Sequence, residues 1–493
     1  IGSRSARKFT GDYLATLDYR DFLGLTGSFS FGGQAYWDTE SLNLATGRGF
    51  AGSGVTTVGG AAVTFGGEEF SEEINLGAFV QNRFEFGDLF LTGAVRIDGN
   101  SAFGENYGFQ VYPKADVAYN LGPGTLGFSS AKLRAAVGMA GKAPGAYAKF
   151  QTYQPNTVLE DQPGVSPDNP GNQDLEPENK LEWEVGADLG LWNDRIGIDA
   201  TFWNAVTQNA LLRINLPPSE GFSSGQLQNV GELLNRGFEL SVNAGIIDQS
   251  AFRWNTGINY EWNKNEILDL GETAVLDSLP IYEGSEVVRW EHHYRLGGFW
   301  EGLPSQEIIT RGIVGWDAEA REHIRSDYGF YQGREFPDHM ASLNNDFTFG
   351  GNLRLAVQLR GEWGASMANS DRSYGVRQLA YDEYLRHLDA NGERTPAADS
   401  VLNYMRLVTP VDSRNHVRLQ EVSLSYVLPD WLTGRMGLDR STLTLAGYNL
   451  MWWDHCNCPD PNQQYRGGDS FNTSPFLGVP QPRRFLLSFR TRW

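Results

Sequence analysis

The fold is decided by a stretch in the first part of the chain, Glu72-Glu-Ile-Asn-Leu-Gly-Ala-Phe-Val-Gln-Asn-Arg-Phe-Glu-Phe86. Apolar side chains recur here at every second position, and charged or amide side chains lie between them. Successive side chains of a β-strand point to opposite faces, so the segment predicts a long strand with one apolar and one polar face. The apolar face carries Ile74, Leu76, Ala78, Val80, Phe84 and Phe86, and the polar face carries Glu73, Asn75, Gln81, Arg83 and Glu85.

The same period of two recurs along the chain and gives about sixteen candidate strands. Many of them have about ten residues or more, whereas the mean strand of a globular protein has about 5–6. Strands of about 9–11 residues are what a tilted transmembrane β-strand needs. The candidate strands begin near Asp12, Leu25, Glu72, Leu89, Gln110, Lys132, Lys180, Gly197, Glu232, Phe252, Trp290, His339, Asn352, His416, Ser441 and Arg483.

The connections between candidate strands alternate between two kinds. Tight turns are predicted at 87–88, 192–195, 246–251 and 350–351, and long polar loops at 38–71, 143–179, 213–231, 364–415 and 451–482. Short turns on one side and long loops on the other are typical of outer-membrane barrels. A soluble propeller would instead show a repeat of about 40–50 residues, which the sequence lacks. The sequence therefore predicts an all-β fold, a transmembrane antiparallel β-barrel with short periplasmic turns and long extracellular loops.

The alternation of turns and loops breaks once, between about residues 265 and 340. One strand in that region is either missed or wrongly assigned, so the expected number is about 15–17 strands. An odd total follows from the alternation, and a closed bacterial barrel has an even number of strands. At least one further strand is therefore expected upstream of Ile1.

Composition excludes some classes of function. The 493 residues carry a formal net charge of −20, and 13% of them are aromatic. A strongly acidic chain is a poor nucleic-acid binder, because phosphates must be neutralised by Lys and Arg, so no nucleic-acid partner is expected. No run of about 18 apolar residues is present, which predicts that no transmembrane helix forms.

Several short elements occur in an informative order. They are Arg96-Ile-Asp-Gly-Asn-Ser-Ala-Phe-Gly-Glu-Asn106, Asn172-Gln-Asp-Leu-Glu-Pro-Glu-Asn-Lys180, the segment 211–239 with Asn229-Val-Gly-Glu and Asn235-Arg-Gly-Phe-Glu-Leu, the segment 417–429, and Gly447-Tyr-Asn-Leu450. Each is weak alone, but together and in this order they resemble the SusC/RagA family of TonB-dependent outer-membrane transporters. The resemblance covers about residues 70–490.

The resemblance implies a 22-stranded barrel around an N-terminal plug. Residues 1–493 would then be a single barrel domain that is incomplete on its N-terminal side and lacks the plug. The implied partners are a SusD-like surface lipoprotein, a TonB complex that acts through the missing plug, outer-membrane lipid and the barrel-assembly machinery. Phe489 and the terminal Trp493 would form the family's assembly signal.

The implied function is a nutrient importer in the bacterial outer membrane, which takes up oligosaccharides or oligopeptides. A passive porin and a structural or adhesive barrel are the alternatives. Gly221-Phe-Ser-Ser-Gly225 fits G-x-S-x-G, but a nucleophile elbow needs a strand before the serine and a helix after it. Neither is predicted there, so we expect no enzyme and no cofactor. Inward glutamates such as Glu73, Glu182 and Glu184 would favour neutral or cationic cargo unless Arg83 and Arg96 pair with such acids.

One cluster has the chemistry of a metal site. Asp454, His455, Cys456 and Cys458 supply a carboxylate, an imidazole and two thiols, all plausible zinc ligands. The C-x-C spacing is unusual for zinc, and the outer cell surface is oxidising. A disulfide, free thiols and a weak metal site therefore remain as alternatives.

Aromatic side chains in the predicted loops are candidate contacts for a substrate or partner, since rigid rings stack on sugars and fill apolar pockets. The alternative is that they pack the loops against each other. The candidates are Trp300, Trp316, Tyr331, Trp452, Trp453 and Tyr465.

Overall fold

The computed structural model describes residues 2–22, 24–158, 162–214, 216–222, 224–270, 281–282, 295–296, 299–300, 307–317, 319–320, 322–438, 441–462 and 476–491. Within these ranges, fifteen antiparallel strands form one sheet in which each strand pairs with the next one in the list. They are β1 (Gly2–Phe22), β2 (Leu25–Phe50), β3 (Ala61–Phe86), β4 (Leu89–Asn100), β5 (Gln110–Leu121), β6 (Ser130–Lys142), β7 (Glu178–Leu191), β8 (Ile196–Gln208), β9 (Glu232–Asp248), β10 (Phe252–Asp269), β11 (His339–Phe349), β12 (Leu353–Trp363), β13 (His416–Val427), β14 (Thr442–Asp454) and β15 (Arg484–Arg490). This sheet is the barrel wall, and it confirms the predicted all-β architecture.

Shorter elements lie in the connections. Their strands are Tyr153–Val158, Gln162–Pro167, Leu211–Ile214, Gln226–Asn229, Ile281–Tyr282, Arg295–Leu296, Phe299–Trp300, Glu307–Asp317, Glu322–Arg334, Ser366–Ala368 and Val411–Ser413. Their helices are α1 (Ser370–Arg377), α2 (Asp382–Leu385), α3 (Pro396–Leu407) and α4 (Asp430–Thr433). In the described part of the chain, no helix is long and apolar enough to cross a membrane.

The break in the alternation disappears in the structure. The candidate strand near Trp290 begins outside the described residues, and β10 pairs directly with β11, from Phe252 opposite Phe349 to Trp262 opposite His339. That pairing leaves no place in the wall for an additional strand between them. Fifteen wall strands lie within the predicted 15–17, and the direct pairing shows that the uncertain strand of this region was wrongly assigned rather than missed.

The predicted long loop at 38–71 was also wrong. β2 and β3 stay paired from Trp37 opposite Ile74 to Phe50 opposite Ala61, so only 51–60 connects them. Both faces of this extension are partly polar, which removes the apolar alternation that marks a membrane strand while the backbone ladder continues. The result is a hairpin that continues past the end of β4, whose pairing with β3 stops at Asn75. We call residues 38–73 the projecting hairpin.

The two faces of the wall differ as the sequence predicts. On β7, the apolar side chains of Leu181, Trp183 and Val185 are 40–47% exposed, and they point away from the lumen toward lipid. Glu182 and Glu184 point to the other face. A transmembrane barrel with a polar interior requires this arrangement.

The acidic groups of the lumen are largely paired. Asp188 lies 3.2 Å from both Lys132 Nζ and Arg134 Nε. Arg83 lies 3.8 Å from Glu85, whereas Arg96 pairs with Asp98 rather than with a lumenal glutamate. The lumen is therefore less negative than a simple count of inward carboxylates suggests.

The segment 172–178, which carries part of the family resemblance, ties outer loops together. The side chain of Asn229 donates to the carbonyls of Glu176 (2.8 Å) and Asn209 (3.1 Å), and its Oδ1 accepts from the Glu176 N–H (2.8 Å). Leu175 is fully buried beside these bonds. We call this group of contacts the loop clamp, and it gives the connecting loops a fixed arrangement at the outer end of the barrel.

Candidate functional site

The connection between β12 and β13 contains a small helical subdomain, residues 370–407, which we call the helical loop. α3 begins with Pro396, whose missing N–H suits the first position of a helix. The preceding Thr395 caps this end, since its Oγ1 accepts a hydrogen bond (3.3 Å) from a first-turn amide. Leu402 and Met405 are buried between the helices, so the loop has its own apolar core.

A hairpin at 307–334 packs against the helical loop. The backbone N–H of His323 donates to Asn403 Oδ1 at 2.7 Å. The imidazole ring lies edge-on to two aromatic rings, with centroid distances of 4.8 Å to Trp316 and 5.8 Å to Tyr404. These contacts hold the hairpin and α3 together, and they use Trp316, one of the predicted contact residues.

The connection between β14 and β15 is anchored to the inside of the wall. Arg418 on β13 forms a salt bridge with Asp460, and the two side chains are 1% and 0% exposed. Arg414 donates from Nε to the Pro461 carbonyl (3.0 Å) and from Nη1 to the Glu335 carbonyl (2.7 Å). Burial lowers the pKa of the Arg414 guanidinium, because desolvation disfavours its charged form.

These elements border a cavity of about 620 Å³ at the outer end of the lumen, which we call the outer cavity. Its volume is typical of small-molecule sites, which span about 300–1,000 Å³. Five amide side chains and five charged side chains line its wall. The lining residues are Asn235, Asn263, Asn265, Asn462, Gln481, Arg334, Arg360, Arg414, Glu261, Glu362, Phe336, Pro337 and Met340.

The arginines in the wall of the outer cavity lie beside carboxylates of the wall or of its immediate neighbours. Glu362 lies 3.1 Å from Arg360 Nη2 and 3.9 Å from Arg414 Nη2. Arg334 pairs with Asp338, and burial lowers the pKa of its guanidinium. The surface offered to a solute is consequently rich in hydrogen-bonding groups and poor in uncompensated charge.

A second cavity, of about 1180 Å³, lies in the lumen near the short turns. Its wall includes Arg253, Arg354, Asp346 and Glu421, together with asparagine and serine side chains. The lumen is therefore lined with polar groups at both ends, as passage of a water-soluble cargo requires.

The predicted aromatic contacts are dispersed. Trp452 points into the lumen, where its ring lies 5.0 Å from the Arg418 guanidinium. Its neighbour Trp453 points to the opposite face and is 52% exposed, like the lipid-facing aromatics. Tyr331 and Trp316 lie on the hairpin at 307–334. None of these four rings is part of the outer cavity wall.

Of the remaining predicted contact and assembly residues, the structure describes the side chain of Phe489 alone. Trp300 belongs to the short strand Phe299–Trp300, but its side chain, like Tyr465 and Trp493, lies outside the described residues. Phe489 lies on β15 opposite Leu443, and both side chains are exposed on the lipid side.

The metal-like cluster contains a disulfide. Cys456 and Cys458 are bonded to each other, with their Cα atoms 5.2 Å apart. Asp454 accepts a hydrogen bond from the Cys456 N–H (2.8 Å). The bonded sulfurs are not thiolate ligands, so the weak metal candidates Asp454, His455, Cys456 and Cys458 lose two of their four donors. Over the described ranges, no group of three or more His, Cys, Asp or Glu side chains is placed to hold a metal ion.

The amides of the outer cavity were not singled out in the sequence. Asn263 and Asn265 occupy polar positions of the period-two pattern on β10, as Arg360 does on β12, so the phase of each strand identifies them as inward-facing. Asn462 and Gln481 lie in an irregular connection, and no local pattern marks them.

Comparison with known proteins gives a consistent result. Residues 2–450 match the family described as TonB dependent receptor-like, beta-barrel. TonB-dependent receptor P3 of Formosa agariphila is 25% identical over 529 aligned residues, which cover 97% of this chain and 52% of that protein. TonB-dependent receptor SusC of Bacteroides thetaiotaomicron is 29% identical over 204 residues, covering 38% of this chain and 20% of that protein.

Solved structures show the same architecture. The RagAB peptide transporter superposes with a TM-score of 0.77 at 18% identity, covering 99% of this chain and 56% of that one. At this identity the likeness establishes the fold. The chain spans about half the length of the curated relatives it matches.

Proposed function

This chain belongs to the family of TonB-dependent receptor β-barrels, and on that premise we propose that it is part of a SusC-type importer of oligosaccharides or oligopeptides. The resemblance to SusC/RagA transporters is confirmed, and the barrel lies in the outer membrane. One similar structure is described as a peptide transporter, so peptide stays beside glycan in the proposed cargo class.

The outer cavity carries the proposal. It lies at the loop end of the lumen, where cargo from outside first meets the wall, and its volume is that of a small-molecule site. Its amides offer both donors and acceptors, which suit sugar hydroxyls and peptide groups equally. The paired charges of Glu362 with Arg360 and Arg414 avoid a strong preference for charged cargo.

The proposal includes partners that come from the family resemblance. A SusD-like surface lipoprotein would cover the outer mouth, and a TonB complex would supply energy through the plug that the family resemblance implies. Phe489 and Trp493 would direct insertion by the barrel-assembly machinery. The proposed reaction is transport, with no covalent chemistry assigned to the chain.

The test is uptake by cells that carry or lack the full-length gene. Fluorescent maltoheptaose, fluorescent xylohexaose and a fluorescent mixed-sequence octapeptide library serve as probes. We expect gene-dependent uptake of at least one probe, and we expect dissipation of the proton gradient to abolish it. Loss of the Asn462 and Gln481 side chains in the N462A/Q481A double variant should slow uptake several-fold at limiting probe concentration.

Asn391 supplies the matched control, since it lies in an exposed turn away from the outer cavity, and N391A should import at the wild-type rate. Uptake that survives the uncoupler would identify a passive porin. Equal uptake with and without the gene, for every probe, would exclude the importer.

A further inference from the structure

A third cavity lies on the helical loop. It has a volume of about 440 Å³ and lies between α1, α2 and the turn that contains the disulfide. It shares no lining residue with the outer cavity, so the two are separate spaces. The side chains that matter for its chemistry come from Arg372, Tyr381, Glu383, His387 and Asn457.

The charged part of this wall is already neutralised. Arg372 donates from Nε and Nη2 to the two carboxylate oxygens of Glu383, at 2.6 and 2.8 Å. The bidentate guanidinium holds the pKa of Glu383 below its ordinary value, so both groups stay charged and paired at neutral pH. Arg386 Nη2 forms a single contact of 2.5 Å with Asp382 Oδ2. A charged ligand would find no uncompensated partner among these four groups, whereas hydroxyls can still bond to the carboxylate lone pairs.

Three neutral polar groups complete the wall. The phenol of Tyr381, the imidazole of His387 and the amide of Asn457 all line the cavity, and within the described ranges none of these groups has a hydrogen-bond partner. Together they provide several donors and acceptors beside an aromatic ring. Planar polar groups next to a ring suit a ligand with many hydroxyls on an otherwise apolar carbon frame.

The position of Asn457 is fixed by its neighbours. Its backbone carbonyl accepts a hydrogen bond from Asn369 Nδ2 (2.9 Å), and Asn369 is fully buried and caps α1 through Oδ1. The disulfide between Cys456 and Cys458 closes the turn on both sides of Asn457. The wall is therefore assembled before any ligand arrives, which lowers the ordering cost of binding.

We propose that this cavity is a surface subsite for a neutral sugar residue, in which His387, Asn457 and Tyr381 bind hydroxyl groups beside the neutralised Arg372–Glu383 pair. Its biological meaning rests on the proposed importer, since a surface subsite would retain an oligosaccharide close to the lumen. Its binding chemistry does not depend on transport.

The experiment measures binding to the purified full-length protein in detergent by isothermal titration calorimetry and saturation-transfer NMR. The probes are maltoheptaose, laminarihexaose, xylohexaose, the anionic hexagalacturonate and a neutral tetrapeptide. We expect at least one neutral oligosaccharide to bind more tightly than hexagalacturonate and the tetrapeptide. The H387A/N457A double variant should weaken that affinity about tenfold, because it removes two hydrogen-bonding side chains from the wall.

His455 provides the matched control, because it is exposed, two residues from Asn457 and outside the cavity wall. H455A should bind as wild type does, and amide exchange across the helical loop should be equal in all three proteins. Three results would overturn the proposal: no binding of any neutral oligosaccharide, preferential binding of the peptide or the anionic probe, or unchanged affinity in H387A/N457A. Unchanged affinity in the double variant with intact uptake refutes the subsite alone. Loop-dependent binding without gene-dependent uptake refutes only the importer.

Discussion

Replacement of Asp460 by alanine removes the carboxylate that neutralises an enclosed guanidinium. Arg418 and Asp460 are 1% and 0% exposed, so neither charge is solvated by water. Among the described residues, Nε and Nη1 of Arg418 have no hydrogen-bond partner, and the ring of Trp452 is the other nearby group that favours the cation. The variant D460A therefore leaves a buried and uncompensated positive charge.

Loss of one member of a buried ion pair typically costs about 3–5 kcal/mol. Asp460 also accepts hydrogen bonds from the backbone N–H groups of Asn462 (2.9 Å) and Gln481 (3.3 Å), and these are lost with it. The ladder between β13 and β14 does not involve the carboxylate, so the wall should remain folded. We expect the cost to appear as local opening of the connection between β14 and β15.

Hydrogen exchange with mass spectrometry measures that opening on the full-length protein in detergent. At about 1.36 kcal/mol per tenfold change, D460A should speed exchange around residues 460–462 by about a hundredfold or more. The double variant R418M/D460L replaces both charges with apolar groups and should recover most of the protection, since isolated charges rather than lost volume carry the cost. Equal exchange in D460A and wild type would refute the reasoning. Equal exchange in the single and double variants would show that packing, not charge, holds the loop.

Three further outcomes follow from the structure. Replacement of Asn229 by leucine removes three hydrogen bonds of the loop clamp and should lower the local stability of the joined loops by about 1–3 kcal/mol. Amide exchange in these loops should be faster in N229L than in the wild type, and equal exchange rates would contradict the clamp. Arg372 lowers the pKa of Glu383 from its ordinary 4.5, so the pair stabilises the helical loop above pH 4.5 and is lost as pH falls through the lowered pKa. With rates divided by those for an unstructured reference peptide, pepsin should cut this loop faster at about pH 3 than at about pH 5, and E383Q should lack that step. Substitution G237A places a Cβ 2.6 Å from an indole carbon and 2.7 Å from a carbonyl oxygen, whereas a Cβ at Gly197 meets open space. The free energy of unfolding, measured by urea in vesicles, should fall by about 1–3 kcal/mol for G237A and should not change for G197A. Equal effects of the two substitutions would exclude overpacking as the cause.

The wall was predictable because each membrane strand must alternate between lipid and a polar lumen. That constraint ends where the membrane ends, so the sequence of the projecting hairpin has no clear period of two and predicts a loop although its strands are paired. It also fails for strands that never enter the wall. The hairpin at 307–334 is a β-structure that packs on α3, so strand periodicity in that region says nothing about barrel membership.

The outer cavity was only partly accessible to sequence reasoning. Strand phase is enough to place Asn263 and Arg360 on the lumen face, because side-chain direction is local. The approach of Asn462 to these residues depends on the buried pair of Arg418 and Asp460, which joins positions far apart in the chain. No short window of sequence contains that information. The disulfide was one of three alternatives for the same reason, since two thiols at C-x-C spacing are compatible with each of them.

The projecting hairpin gives the molecule a landmark on the cell surface. β2 and β3 have 26 residues each, whereas β4 has 12. At about 3.3 Å per residue and a tilt of about 45°, the surplus raises a post about 30 Å above β4, while β1 accompanies its other side as far as Gly2 opposite Leu44. A barrel seen in projection is nearly featureless under rotation, and an off-axis post breaks that symmetry. Particle images in electron cryomicroscopy can be aligned on it, and an antibody fragment raised against its tip would label the molecule without touching the lumen.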